Sequence, residues 1–353
     1  MSYPRLEIHL DAIRENARRL LSACRAHGIE PVGITKVCCG EPAVARALLE
    51  CGYTSLGDSR LENLARYADL PCEKMLIRLP SPSDAARTVR LADVSLNSEI
   101  ATVEALSAAA VAAGRTHAVI AMLECGDLRE GCPDADGLVA LCRRALALPG
   151  IELRGVGANF ICYGGVKPST EAMEALLAAK ARVEAELGVQ LPVVSGGSST
   201  SERLMMAGGL PAGVNQLRTG ALIHVGIGLM DEKIPGYRDD AYQLLAEVIE
   251  CNVKPSVPWG ELGTDAFGHF HTFEDRGDLR RAILSVGRAD IEPECLQPME
   301  PGVAVLDASS DHLLLDLSGC RRDIRPGDIV EFKVGYAGVL RACTSPCVCK
   351  VCV

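Results

Sequence analysis

The sequence predicts an α/β protein: a (β/α)8 barrel followed by a smaller, mainly β domain. Three observations lead there. Short β-rich apolar runs alternate with amphipathic helical stretches up to about Gly226, and after it the pattern turns to strands divided by turn signals. The 353 residues also exceed the ~250 that an α/β barrel uses alone, which leaves room for a second domain.

The elements follow in order. An amphipathic helix is expected over about Leu10 to His27. After it come the runs "VGITK", "TSLGDS", "KMLIRLP", "DVSLN", "HAVIAML", "ELRGVGANF", "LPVVSGG" and "NQLRTGALI", eight in all. Between them, segments such as "PAVARALLECG", "EIATVEALSAAAVAAG" and "STEAMEALLAAKARVEAELG" carry apolar residues at helical spacing. Alternating β and α units make parallel strands, and eight of them close a barrel. The barrel is expected over residues 1–226, though its first few residues could join the β domain, which is expected over 227–353. There "YQLLAEVIECNVK", "RAILSVGRAD", "GVAVLDASSDHLLLDL" and "DIVEFKVGY" alternate as strands do, with "EPG" and "RPGD" as turns.

Composition narrows the function classes. A formal charge of −10 disfavours a nucleic-acid or anionic-membrane partner and points to a small-molecule ligand. No stretch of 18 uninterrupted apolar residues occurs, and "MSYPRLEIHLDAIREN" lacks the basic-then-apolar pattern of a leader, so a cytoplasmic protein is expected. Sixteen cysteines in so long a chain read as reduced thiols. Cys347, Cys349 and Cys352 in "CVCKVC" have no matching second pair, and the histidines are scattered, so no metal is expected.

A barrel of this kind places its chemistry at the carboxyl ends of its strands. Read in order, those ends carry Lys36, Asp58 with Ser59, Arg78 before Pro80, Asn97, Glu124 with Arg129 beyond, Asn159, Ser198 with Ser199, and Arg218 with Gly220. Any one of these is ordinarily a solvated strand end. Lys36, however, follows the apolar Val32 and Ile34 and precedes Val37; as a neutral amine it can attack an aldehyde to form a Schiff base. "SGGSST" supplies glycines for a tight turn and hydroxyls and amides suited to a phosphate, although such turns also serve as helix caps. Together they point to an aldehyde-bearing phosphorylated cofactor, pyridoxal 5'-phosphate.

The ordered motifs "GITKVCCG", "GDSRLENL", "LECGDLREG", "SGGSSTSERL" and "QLRTGALIHVG" resemble the alanine racemase family, the pyridoxal-phosphate enzymes of fold type III, and within it the ornithine racemases. The resemblance implies that Lys36 carries the cofactor and is one catalytic base, and that Ser199, Gly220 and Ala221 hold the phosphate. It further implies that Arg218 faces the pyridine nitrogen, that Arg129 binds the substrate carboxylate, that Tyr336 in "KVGYAGVL" reaches the phosphate, and that Asn159 lies at the cofactor. An arginine cannot readily protonate the ring, which leans the chemistry towards proton exchange. A homodimer with an amino-acid substrate is implied as well.

The sequence also departs from the family. Alanine racemases place their second base, a tyrosine, in "GYAD", whereas here "GRAD" puts Arg288 there, and a guanidinium is a poor base. Arg288 could instead bind a carboxylate, and His312 in "SSDHLL" is expected to be the second base, with Cys162 and Tyr163 behind it. Met122 stands where alanine racemases often carry a carbamylated lysine that steadies the arginine matching Arg129, so Arg129 must be held differently.

The activity expected is racemisation of ornithine or a similar basic amino acid. Two alternatives are a lyase of the D-threonine aldolase type, whose metal-ligand pair has no counterpart here, and a non-catalytic cofactor-binding barrel, which would lack the second domain. Asp127, Glu130, Asp265 and Asp290 are candidates to receive a distal ammonium group.

Overall fold

The computed structural model describes residues 2–228, 232–265 and 267–353. The chain forms two units, Asp11–Asp239 and a second made of residues up to Leu10 together with Asp240–Val353.

The first strand, β1 (Arg5–Ile8), belongs to the second unit, and the barrel unit begins with α1 (Leu10–Ala26). The barrel strands are β2 (Glu30–Ile34), β3 (Ser55–Asp58), β4 (Glu73–Leu76), β5 (Val94–Asn97), β6 (His117–Met122), β7 (Ile151–Ala158), β8 (Val193–Ser198) and β9 (Gln216–Thr219). Each pairs in parallel with the next, and β9 returns to β2, so the barrel closes as the alternating pattern predicts.

The helices between them are α2 (Pro42–Glu50), α3 (Leu61–Ala65), α4 (Ala85–Leu91), α5 (Ile100–Ala113), α6 (Ala135–Leu146), α7 (Thr170–Leu187), α8 (Glu202–Met206) and α9 (Ala221–Val225). Local chemistry sets their ends. The Asp134 carboxylate accepts the Gly137 amide at 2.8 Å to start α6, the Ser169 hydroxyl accepts the Ala172 amide at 3.2 Å to start α7, and Gly188 stops α7 in the left-handed region at φ +66°.

Because side chains alternate along a strand, Val32, Ile34, Met75, Val94, Leu96, Ala118, Ile120 and Met122 fill the barrel interior. The same alternation corrects one expectation. Asn97 shares the outward face of β5 with Ser95, donating to the Ser95 hydroxyl at 2.9 Å, and Ser95 in turn bonds His117 at 2.7 Å. Asn97 therefore belongs to the layer outside the barrel.

The second unit is built on a sheet ordered β12 (Leu296–Pro298), β15 (Ile329–Val334), β10 (Tyr242–Pro255), β11 (Asp278–Leu284), β14 (Leu313–Asp316), β13 (Ala304–Ala308). The strand β1 adds antiparallel to β10, and the last strand, β16 (Cys349–Cys352), pairs in parallel with β1, setting Cys349 opposite Arg5. Cys349 and Cys352 are thus strand residues, with Cys347 in the bend before them, and all sixteen cysteines are free. Leu6, Ile8, Leu244, Leu315 and Phe332 are fully buried in this unit.

Two of its expected elements differ. The strand in "DIVEFKVGY" stops at Val334, and Tyr336 is the first residue of α10 (Tyr336–Thr344). In "ASSDHLLLDL" the run breaks into β13 and β14, and His312 sits in the exposed turn between them, where the Ser309 amide bonds its carbonyl at 2.9 Å. The segment between β10 and β11 exposes Trp259 to 84% and Phe270 to 79%, with Leu262, Phe267 and Phe273 also exposed. Among the described residues no helix is long and apolar enough to cross a membrane.

Candidate active site

Strand β2 ends at Ile34, two residues before Lys36, and the reason lies in Thr35. Its amide donates to the Gly57 carbonyl at 2.9 Å, and its hydroxyl donates to the buried Asp58 carboxylate at 2.7 Å. Asp58 also accepts from the Asn63 side-chain amide at 2.9 Å and the Arg60 amide at 3.1 Å. Burial pushes its carboxyl above the usual range, and these donors offset part of that rise. Asp58 therefore braces the turn. Lys36 then opens a single 3-10 turn, Lys36–Cys38, which Cys39 and Gly40 leave through left-handed backbone at φ +52° and +66°. A Cβ on Gly40 would stand 2.5 Å from the Asn63 carbonyl oxygen, so "CCG" must end in glycine. Behind this turn, fully buried His224 of α9 bonds the Ile34 carbonyl through Nε2 at 2.9 Å. Burial drops its pKa to about 4, so it is a neutral fixture.

Arg218 lies on β9, in register with the interior-facing Val32 of β2, so its guanidinium enters the barrel. It reaches past β8 to the end of β7, donating to the Ala158 carbonyl at 2.8 Å, the Asn159 side-chain oxygen at 2.5 Å, and the Ser195 hydroxyl. Every one of these acceptors is neutral, and no described residue accepts from its Nε. Burial, with a smaller push from the Arg129 charge, lowers its pKa to about 10. A buried cation without a carboxylate in direct contact suits a ligand nitrogen acceptor.

The serine-rich turn meets the end of β9. The buried Ser199 hydroxyl oxygen accepts the Gly220 amide at 2.9 Å and the Leu222 amide at 3.5 Å, which leaves its own proton to donate. Gly197, at φ +98°, has no room for a side chain, since a Cβ would stand 2.8 Å from the Ser201 hydroxyl. Ser199, Gly220 and Ala221 are thus gathered at one spot from two adjacent strands.

The loops after β6 and β7 are locked together by Asp127, which is 1% exposed. Its Oδ2 accepts the amides of Cys162 and Tyr163, each at 3.0 Å, and its Oδ1 accepts that of Val166 at 3.3 Å. This clasp brings Arg129 and Glu130 against Asn159. Arg129 forms a two-point ion pair with Glu130, its Nη2 at 2.6 Å from Oε1, and the Asn159 side-chain NH2 donates to that same oxygen. A continuous chain results: Arg129, Glu130, Asn159, Arg218. Cys162 stands close enough to Arg129 and Lys36 for both charges to favour its thiolate, although burial dominates and raises its pKa. Met122 is fully buried in the barrel interior.

Arg288, His312 and Tyr336 belong to the second unit. The Arg288 guanidinium is taken up by Asp307 at 2.6 Å, Glu294 at 2.8 Å and the Ala308 carbonyl at 3.2 Å. His312 is exposed beside the Ser309 hydroxyl at 3.5 Å, and Tyr336 is half-buried at the start of α10. The four carboxylates suggested for a distal ammonium are already engaged: Asp127 and Glu130 as described, Asp265 with His271 at 2.8 Å, and Asp290 with the Ser345 hydroxyl at 2.5 Å.

The Asp127 clasp, the Glu130 bridge and His224 are what motif reading did not single out in these roles. Gly131 was a usable signal, because a Cβ there would stand 2.3 Å from the Glu124 amide nitrogen and the loop therefore folds back on itself.

Lys36, the Ser199–Gly220 cradle and the neutral-lined Arg218 fit pyridoxal phosphate: an amine for the aldehyde, donors for the phosphate, and a donor for the ring nitrogen. The chain belongs to the alanine racemase family, whose N-terminal-domain model matches residues 8–226. It is 36% identical to the ornithine racemase of Acetoanaerobium sticklandii over 97% of this chain and 98% of that one. It is 38% identical to the lysine racemase of Thermotoga maritima over 99% of each. In fold it is similar to the alanine racemase of Bartonella henselae with covalently bound pyridoxal phosphate, at a TM-score of 0.72 and 15% identity over 100% of both chains.

Proposed function

We propose that this protein is a pyridoxal-phosphate-dependent racemase of basic amino acids, ornithine or lysine. The observation that carries the reading is Arg218. Its buried guanidinium, bonded only to neutral oxygens, can donate a hydrogen bond to a ring nitrogen but does not surrender a proton to it. A site of that kind favours exchange of one proton over deeper rearrangement. The near full-length likeness to ornithine and lysine racemases supports the substrate class.

Bound pyridoxal phosphate would supply an aldehyde that takes up the substrate amine and a ring that draws electron density from Cα. Ser199, Gly220 and Ala221 would hold its phosphate, with Tyr336 as a further contact, and Asn159 would fix the Arg218 guanidinium that donates to its ring nitrogen. Lys36 Nζ removes and returns the Cα proton on one face. Arg129, whose Nε and Nη2 are oriented by Glu130, offers the Nη1 side of its guanidinium to the substrate carboxylate. Arg288 is already neutralised by Asp307 and Glu294, so its part is structural, within the second unit. His312 is assigned the proton on the opposite face, because it is exposed and an imidazole can both take up and release a proton.

A homodimer in the cytoplasm is part of the same reading. The exposed Trp259 and Phe270, with Leu262, Phe267 and Phe273 on the same segment, are the surface we assign to the subunit contact.

The test is incubation of the cofactor-loaded protein with L-ornithine, L-lysine and L-alanine in deuterated water. Cα deuterium and loss of optical rotation with ornithine or lysine are expected. No exchange with any of the three would remove the racemase reading.

A further inference from the structure

The bridge between the two arginines carries a role that neither arginine explains. Glu130 has a side chain only 9% exposed, yet it stands between Arg129 and Arg218, two cations of one site. Its Oε1 and Oε2 both face Arg129, and Oε1 also receives the Asn159 amide, whose Oδ1 accepts from Arg218 Nη2 at 2.5 Å. The pull is also felt at the far end, where the Glu130 charge is the largest influence favouring the charged form of Arg218.

We infer that Glu130 is a positioning residue: it sets the Arg129 guanidinium for the substrate carboxylate and, by orienting Asn159, sets Arg218 for the cofactor ring. This rests on the racemase reading for the identity of the two ligands. The geometry itself is independent of that reading. An asparagine whose NH2 is bound by a carboxylate must turn its oxygen the other way, and that oxygen is the one Arg218 uses. Glu130 also accounts for Met122 at the interior position, since Arg129 takes its anchor from its own loop and needs none from β6. With both oxygens engaged, Glu130 is not the receiver of a substrate's distal ammonium.

The experiment compares wild-type, Glu130→Gln and Glu130→Asp proteins, all loaded with pyridoxal phosphate. Glutamine keeps the size but offers one oxygen for three donors and turns an NH2 towards Arg129; aspartate keeps the charge but is one methylene short. Cofactor loading, read as the pyridoxyl group fixed on Lys36 by borohydride, should be unchanged, and so should the melting temperature. In Glu130→Gln, KM for the amino acid should rise about 10- to 100-fold, as expected for a lost charge-assisted hydrogen bond, with a smaller change in kcat. The absorbance band of the bound cofactor should shift, and Glu130→Asp should recover part of both effects.

Unchanged KM and unchanged absorbance in Glu130→Gln overturn the inference, as does a fall in loading or melting temperature that accounts for the whole loss. Should the wild type exchange no Cα proton, the racemase reading fails by itself. Glu130 is then judged by titrating the loaded proteins with ornithine and following absorbance, where equal half-saturation in wild type and Glu130→Gln sinks it.

Discussion

Replacing Asp127 by asparagine should loosen the loop that carries Asn159 and Cys162 without touching any residue assigned to a ligand. The carboxylate accepts three amides, two on Oδ2 at 3.0 Å and one on Oδ1 at 3.3 Å. Asparagine has one oxygen. Its better orientation keeps that oxygen on the Cys162 and Tyr163 amides and turns its NH2 towards the Val166 amide, so at least one buried donor loses its acceptor. That costs about 1–3 kcal/mol, or roughly 5- to 150-fold in the opening equilibrium of the loop. Asp127→Ala strands all three amides and should cost roughly two to three times as much. Amide hydrogen exchange read on a peptide covering residues 160–166 measures the opening directly, with a peptide from β6 as the internal standard. KM should rise in parallel, because Asn159 and its link to Glu130 ride on the same loop. If the loop peptide exchanged at the wild-type rate in both variants, Asp127 would not be the clasp, and the account of how the two loops assemble the site would be wrong.

Other outcomes can be checked with simpler means. Lys36→Ala should leave no borohydride-fixed pyridoxyl group and should lower racemisation by about 1000-fold or more, since the proposed reading makes the residue both the cofactor's anchor and a base; retained turnover would displace it. Stability should fall as pH drops from about 6.5 to about 4. In that window the unfolded chain protonates His117 and His224 while burial holds their folded pKa near 4, a loss of up to ~1.4 kcal/mol per pH unit for each. Urea midpoints at pH 7 and pH 5 read this, and His117→Gln should remove about half of the histidine share of the slope; an unaltered slope would exclude His117 from it. Under the proposed homodimer, Trp259→Ser with Phe270→Ser should shift the protein from dimer to monomer in light scattering at micromolar concentration. A dimer of wild-type affinity in that variant would place the subunit contact elsewhere.

The barrel was legible because every one of its strands is announced locally. Short β-rich runs such as "HAVIAML" and "LPVVSGG" sit between helices with readable caps at Asp134 and Ser169, and period and capping act over a few residues. The same locality misled at the ends of elements. Lys36 reads as the last residue of a strand, but Thr35 ends that strand by bonding Asp58, a partner 23 residues away. His312 reads as part of a continuous run, but the pairing of Ala308 with Leu313 makes it a turn.

Sequence alone therefore determined the eight parallel strands, the order in which Lys36, Ser199 and Arg218 arrive at them, and the chemistry those side chains allow. Tertiary structure alone decided how the site is held: the Asp127 clasp across 35 residues, the Arg218–Asn159 bond across 59, and the place of Glu130 between two arginines. Hydrophobic period and helix capping are written in neighbouring residues, whereas a buried hydrogen bond depends on which distant donor the closed barrel brings within about 3 Å.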